Sequence, residues 1–318
     1  MNKKYRNSLK IVKENFRELT DIKKDEFGSF LYAKYTFEVI VSGNLVPFIN
    51  TDIGKNDFKQ HLNNRLLNYR QTVIPWLSSL LPMREKEILE IGCGSGASTI
   101  ALAEQDCKLT SIDVDGERIK IAKKRCEIYD LSVNILEKNA SHINDFHNKF
   151  DFIIFTASLE HMTYEERYQS IRFAWDMLRD SGFLVITGTP NRLFYYDSHS
   201  SLLPFYDWLP DEIAMKYSKY SPRERCVNIG FNEIDFLRFG RGVSYHEFEL
   251  ALDKRCKDLE IYSLHQFLNI PILSRFNRNT RKKFIEILKE VGPPGMSDGF
   301  YCPYLDIAIK KVKMKNVI

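Results

Sequence analysis

A short apolar run enters three closely spaced glycines in Ile88-Leu-Glu-Ile-Gly92-Cys-Gly94-Ser-Gly96, and a second run, Lys108-Leu-Thr-Ser-Ile-Asp113, ends in a carboxylate. No other stretch constrains the fold as strongly. An apolar strand must stop, turn sharply and give way to a helix, because the residues after Gly96 are helix formers. Side chains at Gly92 and Gly94 would block the backbone's approach to a ligand, and glycine tolerates the positive φ that such a turn demands. The free N–H groups of the helix start face that ligand. Asp113 lies 21 positions after Gly92, the spacing at which a carboxylate at the tip of the next strand accepts both hydroxyls of a ribose. These residues read as a βαβ unit whose first turn holds a nucleotide.

Two cofactors use this architecture. Gly92-x-Gly94-x-x-Ala97 satisfies the loose dinucleotide fingerprint, so the glycines alone leave NAD open. Glu90 weighs against it, because a carboxylate beside the loop repels a pyrophosphate by several kcal/mol where solvation is poor. The ammonium and sulfonium of S-adenosylmethionine are attracted by the same charge.

The rest of the chain sets bounds. A net charge of +4 over 318 residues, with dispersed lysines, does not describe a nucleic-acid binder. No apolar run reaches the ~20 residues needed to cross a bilayer, so stable membrane insertion is not expected. Met1-Asn2-Lys3-Lys4-Tyr5-Arg6 leads into charged sequence without a signal-peptide segment. Cysteines 93, 107, 126, 226, 256 and 302 lack CxxC spacing, which suits a reduced, cytoplasmic protein with no cysteine metal site.

Along the chain, residues 5–40 and 58–81 carry helical apolar spacing, with Pro75 marking a kink or junction. Strands are predicted at 87–91, 108–113, 132–137, 150–155, 182–188, 259–265 and 304–311. Helices are predicted at 97–105, 116–129, 165–178, 244–255 and 279–290, with Asp115 and the Ser244/Glu247 capping box at two starts. Strands alternating with helices imply a Rossmann-like α/β fold with a mainly parallel sheet. The alternation stops over 189–243, a 55-residue stretch rich in aromatics and prolines, too long for a passive connection and suited to a binding loop. The expected organisation is a helical N-terminal lid at 1–82, the cofactor-binding core at 83–188, an aromatic substrate or lid insert at 189–243, and the remainder of the core sheet at 244–318.

These motifs in order resemble the class I S-adenosylmethionine-dependent methyltransferases over roughly 86–312. Glu90-Ile-Gly-Cys-Gly-Ser-Gly96 resembles the family's first motif. The resemblance implies that Asp113 binds the ribose, that Val114 packs on adenine, and that Asn139-Ala140 stands near the adenine amino group. Phe150-Asp-Phe-Ile-Ile-Phe155 and Leu159-Glu160-His161-Met162 are similar to the fourth strand and the turn below the transferable methyl. Tyr304-Leu-Asp-Ile-Ala-Ile-Lys310 is similar to the closing antiparallel strand, giving seven strands in all. Leu-Glu-His resembles a branch that includes ubiquinone-pathway O-methyltransferases. Some members of that branch add an upstream glutamate to hold a divalent metal. Here that position is Ala157, so no metal is expected. The segment from Thr189 to Pro210 resembles bacterial methyltransferases of glycan or specialised-metabolite pathways.

Methyl transfer from a sulfonium needs alignment, exclusion of water and deprotonation of the acceptor. His199, with Asp197 two residues before it, is the candidate base, and His161 a positioning group; each also reads as a loop or turn histidine of structural use only. Glu160 reads as support for that turn. Phe194, Tyr195, Tyr196, Phe205, Tyr206 and Trp208 suit a substrate pocket or a small core of the insert's own. Arg223, Arg225, Arg238 and Arg241 suit an anionic substrate group or a solvated surface. The reading is O-methylation of a polar small molecule, sugar or glycan precursor. N-methylation of an amine, an NAD-dependent oxidoreductase and a binding-only protein are the alternatives. A second copy of the chain is a further partner that the aromatic surface would suit.

Overall fold

The structure is a computed structural model that describes residues 3–41, 44–143, 148–223, 226, 233–254, 258–269 and 279–312. The chain forms two compact units, 2–138 and 139–318.

In the first unit, α1 (Lys3–Lys13) and α2 (Asp21–Ala33) precede a hairpin of β1 (Glu38–Val41) and β2 (Asn44–Pro47), which the sequence reading did not foresee. Helix then runs over 52–80 as α3 (Asp52–Lys59), a π turn (Gln60–Asn64), α4 (Arg65–Asn68), a second π turn (Tyr69–Val73) and α5 (Ile74–Leu80). Pro75 falls in the first turn of α5, after a π turn that changes the hydrogen-bond register, so its missing N–H breaks nothing.

The parallel strands β3 (Glu87–Ile91), β4 (Lys108–Asp113) and β5 (Asn134–Glu137) follow, linked by α6 (Ala97–Ala103) and α7 (Gly116–Ile128). Asp115 caps α7 by accepting from the Glu117 and Arg118 amides. Phe27, Leu31, Tyr35, Ile49, Ile121 and Ile128 pack α2 and its successors against α7. Buried Arg70 donates to both oxygens of Glu104 and to the Arg17 carbonyl. These N-terminal helices share this unit's hydrophobic core.

The second unit holds β6 (Phe150–Thr156) parallel to β7 (Leu178–Pro190), with β9 (Tyr304–Lys310) antiparallel to both β7 and β8 (Glu260–Ser263). The strands make one seven-stranded sheet in the order β5-β4-β3-β6-β7-β9-β8, the mostly parallel Rossmann-like sheet that the pattern predicts. Between β6 and β7 lies α8 (Tyr164–Met177), opened by a capping box of Thr163 and Glu166; Ser244 and Glu247 open helix Tyr245–Leu252 in the same way. The insert contains α9 (Asp211–Tyr217) and a helix at Glu233–Arg238, around a core of Leu203, Tyr206, Ala214, Phe236 and Leu237. Tyr206 therefore serves the insert's interior. Phe194 packs with Ile285 and Tyr301.

Candidate functional site

The first unit carries the glycine loop. Gly92, Gly94 and Gly96 all take positive φ (85°, 51° and 80°). A Cβ added at Gly94 would meet nothing nearer than an Arg118 nitrogen at 3.9 Å, so the backbone faces open space there. A Cβ at Gly96 would lie 2.9 Å from the Ala122 Cα, so this third glycine lets α7 approach the loop. Asp113 accepts from the Gly94 amide through Oδ2 (2.8 Å) and from the Asp115 amide through Oδ1 (3.0 Å). Each oxygen keeps a lone pair for a ribose hydroxyl. Val114, beside it, is 59% exposed, an apolar surface free to cover a flat ring.

Glu90 stands differently from the expectation. It is fully buried, and its carboxylate accepts from the hydroxyls of Ser98, Thr99 (2.7 Å) and Ser111 (2.7 Å). Burial raises its pKa against the pull of those three bonds. The side chain braces the loop from beneath instead of facing a cationic ligand, and the charge argument against NAD loses its force. The donor set still fits S-adenosylmethionine: a bare glycine cradle, a ribose-spaced carboxylate and an exposed apolar neighbour.

The second unit carries the other candidates. Asn139 caps the turn Ala140–His142, its Oδ1 accepting from the Ser141 amide (3.0 Å) and hydroxyl (2.9 Å). Both lone pairs of that oxygen are engaged within the turn. Ala140 is buried.

After β6 the chain passes through Ala157, a non-glycine residue at φ +42°, into the short turn Leu159–His161. Left-handed strain of this kind concentrates at functional sites. Glu160 is fully buried; Thr189 at the end of β7 donates to its Oε2 at 3.0 Å, and among the described residues Oε1 has no hydrogen-bond partner. His161 donates from Nδ1 to the Arg238 carbonyl (3.0 Å), which leaves Nε2 as the ring nitrogen turned away from that contact. The rings of His161 and His199 lie 5.3 Å apart, and ligand atoms of Glu160, His161 and His199 all fall within 4.8 Å of one another. Burial lowers the pKa of His199, with Glu160 opposing it, so the ring is neutral near pH 7.

Asp197 does not orient the His199 ring. Its carboxylate accepts from the amides of His199 (2.8 Å), Ser200 (2.9 Å) and Ser201, and from the Ser201 hydroxyl. It folds the turn that carries His199. Of the four arginines, Arg223 donates to the His199 and Ser200 carbonyls, Arg238 pairs with Glu166, and Arg241 is buried on the carbonyls of Tyr206 and Leu209; Arg225 lies outside the described residues. Each of the three described arginines already donates to a carbonyl or a carboxylate.

Sequence reasoning missed three supporting residues. Thr189 opens the Thr-Pro-Asn-Arg segment and bonds Glu160. Gly240, at φ +119°, leaves room for the His199 ring, since a Cβ there would sit 2.9 Å from Cδ2. Arg167, 1% exposed, donates to the carbonyls of Leu159, Glu160 and Met162 and to those of Arg241 and Gly242, clamping the Glu160-His161 turn. Thr189, which opens the segment singled out at 189–210, and the glycine flanked by Phe239 and Arg241 left traces in the sequence; Arg167 left none.

Residues 88–182 match the family model described as a methyltransferase domain. A ubiquinone biosynthesis O-methyltransferase of Coxiella burnetii is 26% identical over 38% of this chain and 50% of its own length. A Methanocaldococcus jannaschii protein, provisionally named a protein N5-glutamine methyltransferase, is 27% identical over 33% and 53%. The matched stretch thus spans about half the length of these curated relatives. Among solved structures, the YcgJ protein of Bacillus subtilis is 12% identical with a TM-score of 0.43, covering 75% of this chain and 97% of that one. By this match, residues 88–182 carry a methyltransferase domain, set in the seven-stranded, mostly parallel sheet.

Proposed function

We propose that the chain transfers a methyl group from S-adenosylmethionine to a hydroxyl of a polar small molecule, sugar or glycan precursor. The observation that carries the oxygen-directed reading is the Glu160, His161 and His199 cluster: two imidazoles beside a buried carboxylate with one bare oxygen. The cofactor supplies an activated methyl and a neutral leaving group. The glycine loop and Asp113 bind and orient the nucleoside end. A hydroxyl, unlike an amine, gains from losing its proton as it attacks, and a neutral imidazole at His199 can take that proton. His161, fixed through Nδ1, positions the acceptor. The names of the relatives, which span oxygen and nitrogen acceptors, leave the choice of nucleophile to experiment.

The test is transfer from methyl-labelled cofactor into a pooled library of hydroxylated metabolites and glycans, followed by mass spectrometry. A product methylated on oxygen, lost in His199→Gln, supports the reading. Wild-type turnover by His199→Gln, or methylation on nitrogen alone, overturns it. Titration with S-adenosylhomocysteine and NADH separates the cofactors, and binding of NADH alone would remove the methyltransferase reading.

A second reading has its own observation. The expectation of no metal rested on Ala157, yet His199 brings a third donor to Glu160 and His161, and Glu160 Oε1 is unpaired among the described residues. One carboxylate and two imidazoles suit a cation such as Zn²⁺. Bound there, a divalent ion would acidify an acceptor hydroxyl directly. Loss of activity in chelator with recovery on adding metal favours this reading; indifference to chelator favours His199 as base.

A further inference from the structure

The N-terminal helices reach the glycine loop through one buried imidazole. His61 lies in the π turn after α3, and π turns interrupt helices most often where function needs a side chain re-aimed. Its Nδ1 is 2.7 Å from Oγ of Ser95, the residue between Gly94 and Gly96. Both side chains are buried. Nε2 faces Asp57 Oδ1 at 3.7 Å, and the other Asp57 oxygen accepts from the Tyr35 hydroxyl at 2.8 Å. The His61 carbonyl accepts from Arg125 of α7, whose guanidinium lies 4.3 Å over the Phe27 ring. Burial, then Arg65, pushes the His61 pKa down to about 3, so the ring is neutral at ordinary pH. With its proton on Nε2 toward Asp57, the ring offers Nδ1 as an acceptor for the Ser95 hydroxyl.

The loop gains from such a tether. Ser95 is flanked by Gly94 and Gly96 at φ +51° and +80°, and glycine-rich backbone loses more entropy on ordering than any other. Fixing Ser95 before a ligand arrives removes part of that ordering cost from the binding step. We propose that the hydrogen bond between His61 and Ser95, with Asp57 facing the far side of the imidazole, is the tether by which the helical segment holds the loop in its cofactor-binding form, making His61 a positioning residue for the cofactor. The inference rests on the S-adenosylmethionine reading of the loop.

Calorimetric titration with S-adenosylhomocysteine tests it without any need for an acceptor. His61→Leu keeps bulk and removes the acceptor; Ser95→Ala removes only the hydroxyl. Each is expected to bind about tenfold more weakly, the worth of one net buried hydrogen bond. The double variant should be no weaker than the weaker single variant. His61→Asn, which returns an acceptor at the Nδ1 position, should recover most of the affinity. In turnover, once an acceptor is known, the KM for the methyl donor should rise while kcat holds. Wild-type affinity in a folded Ser95→Ala protein overturns the proposal, and this variant decides the matter even if His61→Leu does not fold. Failure of Asn at 61 to restore binding in a folded protein would also overturn it. A wild-type protein that ignores S-adenosylhomocysteine would instead remove the cofactor reading beneath it.

Discussion

Gly96→Ala measures how tightly the glycine loop is held against α7. Gly96 sits at φ +80°, ψ +15°, where alanine carries a penalty of ~1–2 kcal/mol. The new Cβ would also lie 2.9 Å from the Ala122 Cα and 3.0 Å from its Cβ, an overpacking that costs ~1–3 kcal/mol because backbone yields poorly. The sum is a loss of about 2–5 kcal/mol in urea unfolding. Ala122→Gly alone costs about 1 kcal/mol in a helix interior. Combined with Gly96→Ala it relieves the clash between the two methyl groups but leaves the φ penalty and the crowding against the α7 backbone. The double variant should therefore be more stable than additivity predicts, with a coupling on the order of 1 kcal/mol. A Gly96→Ala protein within about 0.5 kcal/mol of wild type would refute both terms, since surface substitutions without such close approaches fall in that range.

Arg167→Lys should lose about 3 kcal/mol or more and most methyl transfer, because three ammonium donors cannot reach the five carbonyls and the Glu247 carboxylate that Arg167 serves; a shift below about 1 kcal/mol would show the turn is held otherwise. Gly240→Ala should abolish activity and, as at Gly96, cost about 2–5 kcal/mol of stability, since the site holds φ +119° and its Cβ would meet Ser200 Oγ at 2.5 Å and the His199 ring at 2.9 Å; full turnover in the folded variant would free His199 from its role. Asp207 is held at a pKa of about 6 by burial and then by the Asp197 charge, against an ordinary value of 3.8. The folded state keeps this proton longer than the unfolded one, so its stability contribution is intact below about pH 4 and declines as pH rises through about 6, by roughly 3 kcal/mol in total. Asp207→Asn keeps an acceptor for the Gly242 amide and should overtake wild type in stability across that window; a constant difference between the two proteins from about pH 4 to about pH 7 would refute the shift.

The local signals were legible. β3 and β4 fall where the apolar runs place them, at Glu87–Ile91 and Lys108–Asp113, and Asp115 and Ser244 cap the helices they announce. Such features depend on neighbours in sequence. The roles of single carboxylates did not follow, because a charge reads the same in one dimension whether it faces a ligand or three hydroxyls. Glu90 is satisfied by Ser98, Thr99 and Ser111, and Asp197 by its own turn, so each acts through the backbone it supports. His199 joins Glu160 across 39 positions of chain, and nothing in the spacing announces that meeting. The hairpin at 38–47 and the π turns of 60–73 likewise follow from packing within their unit, not from a period in the sequence.

The place of β9 has a consequence for biosynthesis. Tyr304–Lys310 is synthesised after the other described strands yet lies between β7 and β8, pairing with both. Until it emerges from the ribosome, β7 and β8 each display an edge of unpaired amides and carbonyls, the template for wrong pairing between nascent chains. Completion of this half of the sheet joins segments more than a hundred residues apart, so a chain stalled before Tyr304 would keep both edges open to wrong pairing.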